Sequence, residues 1–328
     1  PHIAYCDAAA RDLKYATRAG AAWTRRTVIR SPDVGEQPAI AVDAIGDVHI
    51  TYQNMSGLDL EYVKLDGGVV RRALVTAGNV GAFVALAAAT DGTLHGAYRD
   101  DTNARLMYTD MAGRTEVIDA AGDVGWYPSI AADVTGVVHV AYYDVANGGL
   151  KYARRYHGVW SKRFVDSDVN VGEWPSLAVD ALGRVSITYG DQTPGDRKLK
   201  FARRTLAGNW NTEVVTPTGS PWTNPIKSKL VLDAAGGVHV YAYEAGGLWH
   251  RNGPSNWSLD SSVSYFDFDM AIDAQGAFHI ASRRAWDNSL LYATNRTGAW
   301  VEEVVDSGAS FASVTRIALA AAGKAHIV

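Results

Sequence analysis

The sequence predicts an all-β fold, a seven-bladed β-propeller of four-stranded antiparallel blades. Three observations lead there. A block of about 46 residues recurs along the chain, a period typical of four-stranded propeller blades. Each block divides into short alternating strands bounded by Gly, Asn and Asp turns. No stretch carries the apolar period of a useful amphipathic helix.

The repeat is plainest in "PSIAADVTGVVHVAYYDVANGGLKYA" from Pro128 and its near-copy "PSLAVDALGRVSITYGDQTPGDRKLKFA" from Pro175. Its core is an apolar run, then Asp-x-x-Gly-x-x-His, a second alternating run, and Leu-x-Tyr. The His position is filled by His2, His49, His95, His139, Ser186, His239, His279 and His326. The turn Asp is Asp43, Asp133, Asp180, Asp233 and Asp273, with Ala89 and Ala320 in the other two copies.

Four strands follow in order within each block. "AIAVDA" is a first strand that stops at the turn containing Gly46. "HITYQN" is a second, with Ile50 and Tyr52 on one face and His49 and Thr51 on the other. "LEYVK" is a third, and a fourth often opens at Trp, as in "AAWTRRTVI", "GVWSKRFV", "GNWNTEVV" and "GAWVEEVV". Radial repetition of such units is a propeller. Residues 1–328 therefore form one domain with six complete blades. The seventh is closed by the C-terminal first strand in "RIALAAAGKAHIV" and the N-terminal strands beginning at "PHIAYCD". "AHIV" at 325–328 duplicates "PHIAY", so an eight-bladed ring or an excerpt of a longer repeat array is the alternative.

Net charge is −4 and pI about 6.1, which argues against a nucleic-acid partner. No apolar run is long enough to span a bilayer, so no membrane insertion is expected. Cys6 is the single cysteine and is expected to be a small buried side chain.

The repeated residues are expected to be structural. A propeller holds the histidines on different blades, which excludes a shared metal site, and no metal or cofactor is expected. The His should bond across the first hairpin, the Asp should bond the amides of its own turn, and the third-strand Tyr should pack between blades. Phe201 at one Tyr position marks the hydroxyl as dispensable.

Function should sit where the repeat breaks. One candidate region is the loop face formed by the second-to-third-strand connections and the blade-to-blade connections. The former include Asp144 and Asp191. The latter, "VGEQP", "VGAFV", "VGWYP" and "VGEWP", carry Phe83, Trp126, Tyr127 and Trp174. Aromatic rings beside Asp and Asn suit sugars, because C–H faces stack on rings while hydroxyls bond carboxylates. The other region spans 215–287. Its long connector holds Trp222, Asn224 and Lys227. Ala242 and Ser282 replace the second-strand Tyr, and Tyr243, Glu244, His250, Arg283, Arg284 and Trp286 gather nearby. The Arg pair suits an anionic group.

At "VDALGRV", "AYYDVANGGLKYA" and "GVWSKRFVDS" the chain resembles bacterial secreted and cell-surface propeller repeats, loosely the sialidase-type and lectin-type propellers. The resemblance covers essentially all 328 residues and implies the fold and an extracellular or surface setting. The sialidase Asp-box is not reproduced, since here the Asp-to-Gly gap is three and the Trp is absent, and that family's catalytic residues find no counterparts.

The expected function is a binding module that recognises glycans or a protein partner on the loop face. A polysaccharide lyase or glycosidase is the first alternative, with Tyr243, Glu244, His250, Arg283 and Arg284 as its candidate catalytic residues. A structural part of a larger surface chain or assembly is the second.

Overall fold

The computed structural model describes residues 1–328 except 8, 31–35, 217–226, 245–246, 253–256, 262–264, 285, 308–310 and 320–328. It is all-β, with seven four-stranded antiparallel sheets in the order of a β-propeller. Blades 2 to 7 are each built from four consecutive strands, beginning at Glu36, Val80, Val124, Val171, Ser228 and Tyr265. Blade 1 joins the C-terminal strand Phe311–Ala318 to His2–Asp7, Asp12–Ala19 and Ala22–Ile29. His2 faces Ala318 in that splice. "AHIV" at 325–328 lies outside the described residues. Among the described residues no helix is long and apolar enough to cross a membrane.

The core lies between blades rather than within them. In one cluster Ala97, Leu106 and Tyr108 of blade 3 pack with Ile130, Val140 and Tyr142 of blade 4. Fourth-strand tryptophans staple blades 1, 4 and 5 to the blade before. Trp160 meets Tyr108 edge-on at 5.5 Å and Trp210 meets Tyr152 at 5.1 Å. Trp23 of blade 1 meets Tyr292 of blade 7 at 5.1 Å, across the closure. The Val-Gly that opens the inner strands is explained by close approach. A Cβ on Gly172 would lie 2.6 Å from the backbone of Leu150 in the preceding blade.

The repeated Asp and His do what their spacing predicts. Asp43 Oδ1 accepts the amides of Ile45 and Asp47, and Gly46 turns the chain at φ +95°. His49 Nε2 lies 3.1 Å from Asp43 Oδ2, across the first hairpin. The third-strand Tyr does more than pack, which corrects the expectation of a dispensable hydroxyl. The Tyr62 hydroxyl lies 2.7 Å from His49 Nδ1. A carboxylate only accepts, so His49 Nε2 carries the proton and Nδ1 accepts from Tyr62. The same Asp–His–Tyr relay recurs at Asp133–His139–Tyr152 and Asp273–His279–Tyr292. In blade 3, where Ala89 replaces the Asp, Thr93 takes its place on His95 and is itself bonded to Asp91. In blade 5 Ser186 and Phe201 replace the His and the Tyr together, while Asp180 remains. The Tyr is lost without a polar replacement only where the imidazole has gone; in blade 6, which keeps His239, His250 stands in its place.

The relay should therefore behave as a unit. His139→Ser and Tyr152→Phe are each expected to cost about 1–3 kcal/mol, since each leaves a buried group without its partner. The double variant reproduces the blade 5 pairing and should lose less than the sum of the single variants. Urea unfolding of the four proteins measures this, and strictly additive losses would exclude a shared relay.

Acid should loosen the same ring. Burial lowers the pKa of His49, His95, His139 and His279, and takes His2 down to about 4. Unfolded histidine titrates near 6.5. The neutral imidazoles thus stabilise the fold fully above about pH 6.5, and that contribution fades as pH falls toward 4. The melting temperature should drop between pH 7 and pH 4.5; a flat profile there would refute this.

Candidate functional site

Counting back from the turn Asp locates the site. Six residues before that position stand Gln37, Phe83, Tyr127, Trp174, Lys227 and Asp267 on blades 2 to 7. Four residues before it stand Ala39, Ala85, Ser129, Ser176, Lys229 and Asp269, and Arg316 on blade 1. A cavity of 330 Å³ touches the inner strands or their entries on all seven blades and is lined by residues of both rings. It is therefore a funnel on the propeller axis, opening where the blade-to-blade connections enter the inner strands. Its volume falls at the small end of the range for ligand pockets, about 300–1,000 Å³.

The backbone is bent to aim the outer ring inward. Each of these first strands carries a bulge between its two ring positions: Glu36/Ala39, Ala82/Ala85, Trp126/Ser129 and Glu173/Ser176. At the bulge Gln37, Phe83, Tyr127 and Trp174 hold φ of 48°, 51°, 53° and 51°. Large side chains rarely adopt that region, and such outliers gather at ligand sites. The result is a continuous aromatic wall. Phe83 meets Tyr127 edge-on at 4.7 Å, and Tyr127 stacks on Trp174 at 3.7 Å. Behind it sits Glu173, whose carboxyl is pushed up by burial.

The opposite wall is charged. Lys229 pairs with Asp269 at 2.8 Å, and Asp269 also accepts the Ile317 amide. Burial alone would raise the Asp269 pKa, but Lys229 and Arg316 outweigh it and hold it down. Lys227 and Arg316 flank Asp267 at 3.5 and 3.8 Å, longer than a close ion pair. The Lys227 ammonium also sits 4.4 Å from the Trp174 ring, where the two walls meet.

The two sequence-predicted regions thus contribute to one site. Phe83, Tyr127 and Trp174 come from regular blades, and Lys227 from the divergent sector. Other candidates lie elsewhere. Trp126 is not itself in the lining but packs against Phe83 at 5.3 Å, bonding Asp123 at 2.8 Å under the Arg99 guanidinium. Asp144 is fully buried and holds Asn147 and Lys151. Asp191 caps its own loop through Thr193.

His250 fills the relay's Tyr position, 3.1 Å from His239 and stacked on Tyr241 at 4.3 Å. Arg284 is bound by Asp287 and Ser289 and stacks on Trp286 at 4.1 Å, leaving that ring 74% exposed. His250 stands on blade 6 and Arg284 on blade 7, each within its own local arrangement. Tyr243 is half-buried in the blade 6 core cluster and Arg283 half-buried on its strand. Ala242 and Ser282 are fully buried, so the lost rings leave no surface opening. Trp222, Asn224 and the Glu244 side chain lie outside the described residues. Lys229, Asp267, Asp269 and Arg316 were missed in the sequence, although the count back from the turn Asp would have found them.

Fold and site together define a seven-bladed propeller with an amphiphilic axial funnel. No family model matches the sequence, and no curated protein matches it. Among solved structures, it is similar to virginiamycin B lyase from Staphylococcus aureus, at 12% identity, TM-score 0.57, covering 83% of this chain and 86% of that one. It is similar to polysaccharide lyase Uly1, at 9% identity, TM-score 0.57, covering 90% and 85%. It is also similar to Aleuria aurantia lectin, at 13% identity, TM-score 0.52, covering 84% and 96%. At these identities the likeness is one of fold.

Proposed function

We propose that this protein is a glycan-binding module whose site is the axial funnel. The observation that carries the reading is the pairing of the Phe83–Tyr127–Trp174 wall with a wall of polar and charged groups across 330 Å³. Sugars present both apolar C–H faces and hydroxyls, and this lining offers a partner for each. Propellers of similar fold include a lectin solved with α-methyl-L-fucoside and a polysaccharide lyase, which keeps carbohydrate within the fold's repertoire without naming the ligand.

The test is a glycan-array screen of the wild type, then titration of the hits against three variants. Trp174→Gly should lose binding, whereas Asp191→Ala and Trp286→Ala should keep it. Loss in Asp191→Ala would favour repeated blade sites, and loss in Trp286→Ala the divergent loop; either would overturn the axial site. A protein ligand with no glycan hit would overturn the glycan reading.

A further inference from the structure

We infer that the funnel selects sugars carrying a carboxylate, an inference that rests on the glycan reading above. The argument begins with a charge count. Lys227, Lys229 and Arg316 face only Asp267 and Asp269 among the described lining residues, which leaves one cation in excess. That excess stands inside a protein of net charge −4. A positive site in an otherwise negative chain, set in a concavity with apolar walls, focuses attraction onto an anion.

The pairing shows where the excess is available. Lys229 and Asp269 are consumed by each other and by the Ile317 amide. Asp267 accepts the Thr315 amide at 3.3 Å but is shared only loosely by Lys227 and Arg316, whose side chains keep 38% and 31% of their exposure; Arg316 Nη1 donates to the Thr315 carbonyl at 2.9 Å, which leaves the other guanidinium donors for a ligand. Charge-assisted bonds close to about 2.7–2.9 Å when the geometry allows. Both cations therefore retain capacity for a second acceptor. A carboxylate between them would accept from Lys227 and Arg316, while Asp267 accepts a neighbouring hydroxyl. Lys227 lies over Trp174, so a ring stacked on that indole would place a carboxylate substituent toward the cations. A neutral sugar could use the aromatic wall but would leave the extra charge unpaired.

The test uses the whole chain and matched ligands: oligosaccharides of glucuronate, of galacturonate and with terminal sialic acid, each beside its carboxyl-reduced counterpart. Calorimetric titration at low salt should show at least one acidic member binding tenfold or more tighter than its reduced partner. Raising sodium chloride from 20 to 300 mM should weaken only the acidic member. Arg316→Met should bring the affinities for the acidic and reduced ligands within about twofold of each other, and Lys227→Met, on the outer ring of the funnel, gives an independent check should Arg316→Met melt early. Acidic and reduced ligands bound equally, with neither variant changing their ratio, would overturn this inference and leave the glycan reading standing. No binding by any member, together with an empty glycan array, would overturn both.

Discussion

Replacing Asp119 by alanine is expected to cost about 3–5 kcal/mol of stability, the range for removing one partner of a buried ion pair. Asp119 ends the outer strand of blade 3 and is fully buried. It receives the Lys151 ammonium at 2.7 Å and the Tyr142 hydroxyl at 2.8 Å, both from blade 4, and Lys162 at 2.6 Å. Burial by itself would raise its pKa, but those three donors outweigh it and pull it down to about 2. Alanine would take one of two carboxylates from a buried ammonium and the acceptor from a buried phenol. Lys151 would keep Asp144, at 3.0 Å, which limits the damage to its own charge and leaves Tyr142 unpartnered. Parallel ties join Tyr189 and Lys200 to Asp166, and Tyr5 to Asp306. The loss should be cooperative, since each tie bolts one blade to the last. Urea denaturation of Asp119→Ala against wild type measures it, and a loss below about 1 kcal/mol would show that blade packing does not depend on these bolts.

Much of the fold was legible because a propeller writes each rule seven times. The period, the Asp-x-x-Gly turns and the spliced ends are local patterns, and repetition lifts them above chance. The relay was half legible. The hydrogen bond of His49 to Asp43 spans six residues and follows from the turn. The bond to Tyr62 spans the second hairpin, and its necessity shows only in the joint loss at Ser186 and Phe201. The site was legible in pieces. Phe83, Tyr127 and Trp174 stood out as aromatics in a turn-rich connector, and Lys227 as part of an irregular one. Nothing local says that residues from seven blades converge on one axis. The bulges that turn those rings inward depend on backbone with φ near 50°, which composition does not reveal. Asp144 misled for a related reason. An Asp in a loop motif suggests an exposed ligand group, but the third strand behind it supplies Lys151, and the carboxylate is used internally.

Trp174→Gly is expected to weaken the glycan ligand by about 2–4 kcal/mol, roughly 30-fold or more, while leaving the propeller folded. The indole is the largest apolar surface in the funnel, stacked on Tyr127 at 3.7 Å and touching the Lys227 ammonium. Its removal would take away the platform for a sugar face and the contact that steadies Lys227. The stability cost should be small for a reason particular to this position. Trp174 sits at φ 51°, a conformation that costs a non-glycine residue about 1–3 kcal/mol and glycine almost nothing. Relief of that strain offsets part of the lost packing. Trp174→Ala removes the same ring but keeps a Cβ at the same φ, so it should bind as poorly as Trp174→Gly and melt at a lower temperature. Calorimetry and thermal melts of the two variants separate the roles. If Trp174→Gly binds like wild type, the aromatic wall is interior packing and the funnel is not the site. If both variants lose binding and alanine alone loses stability, the strained backbone is there to hold a ring against the ligand.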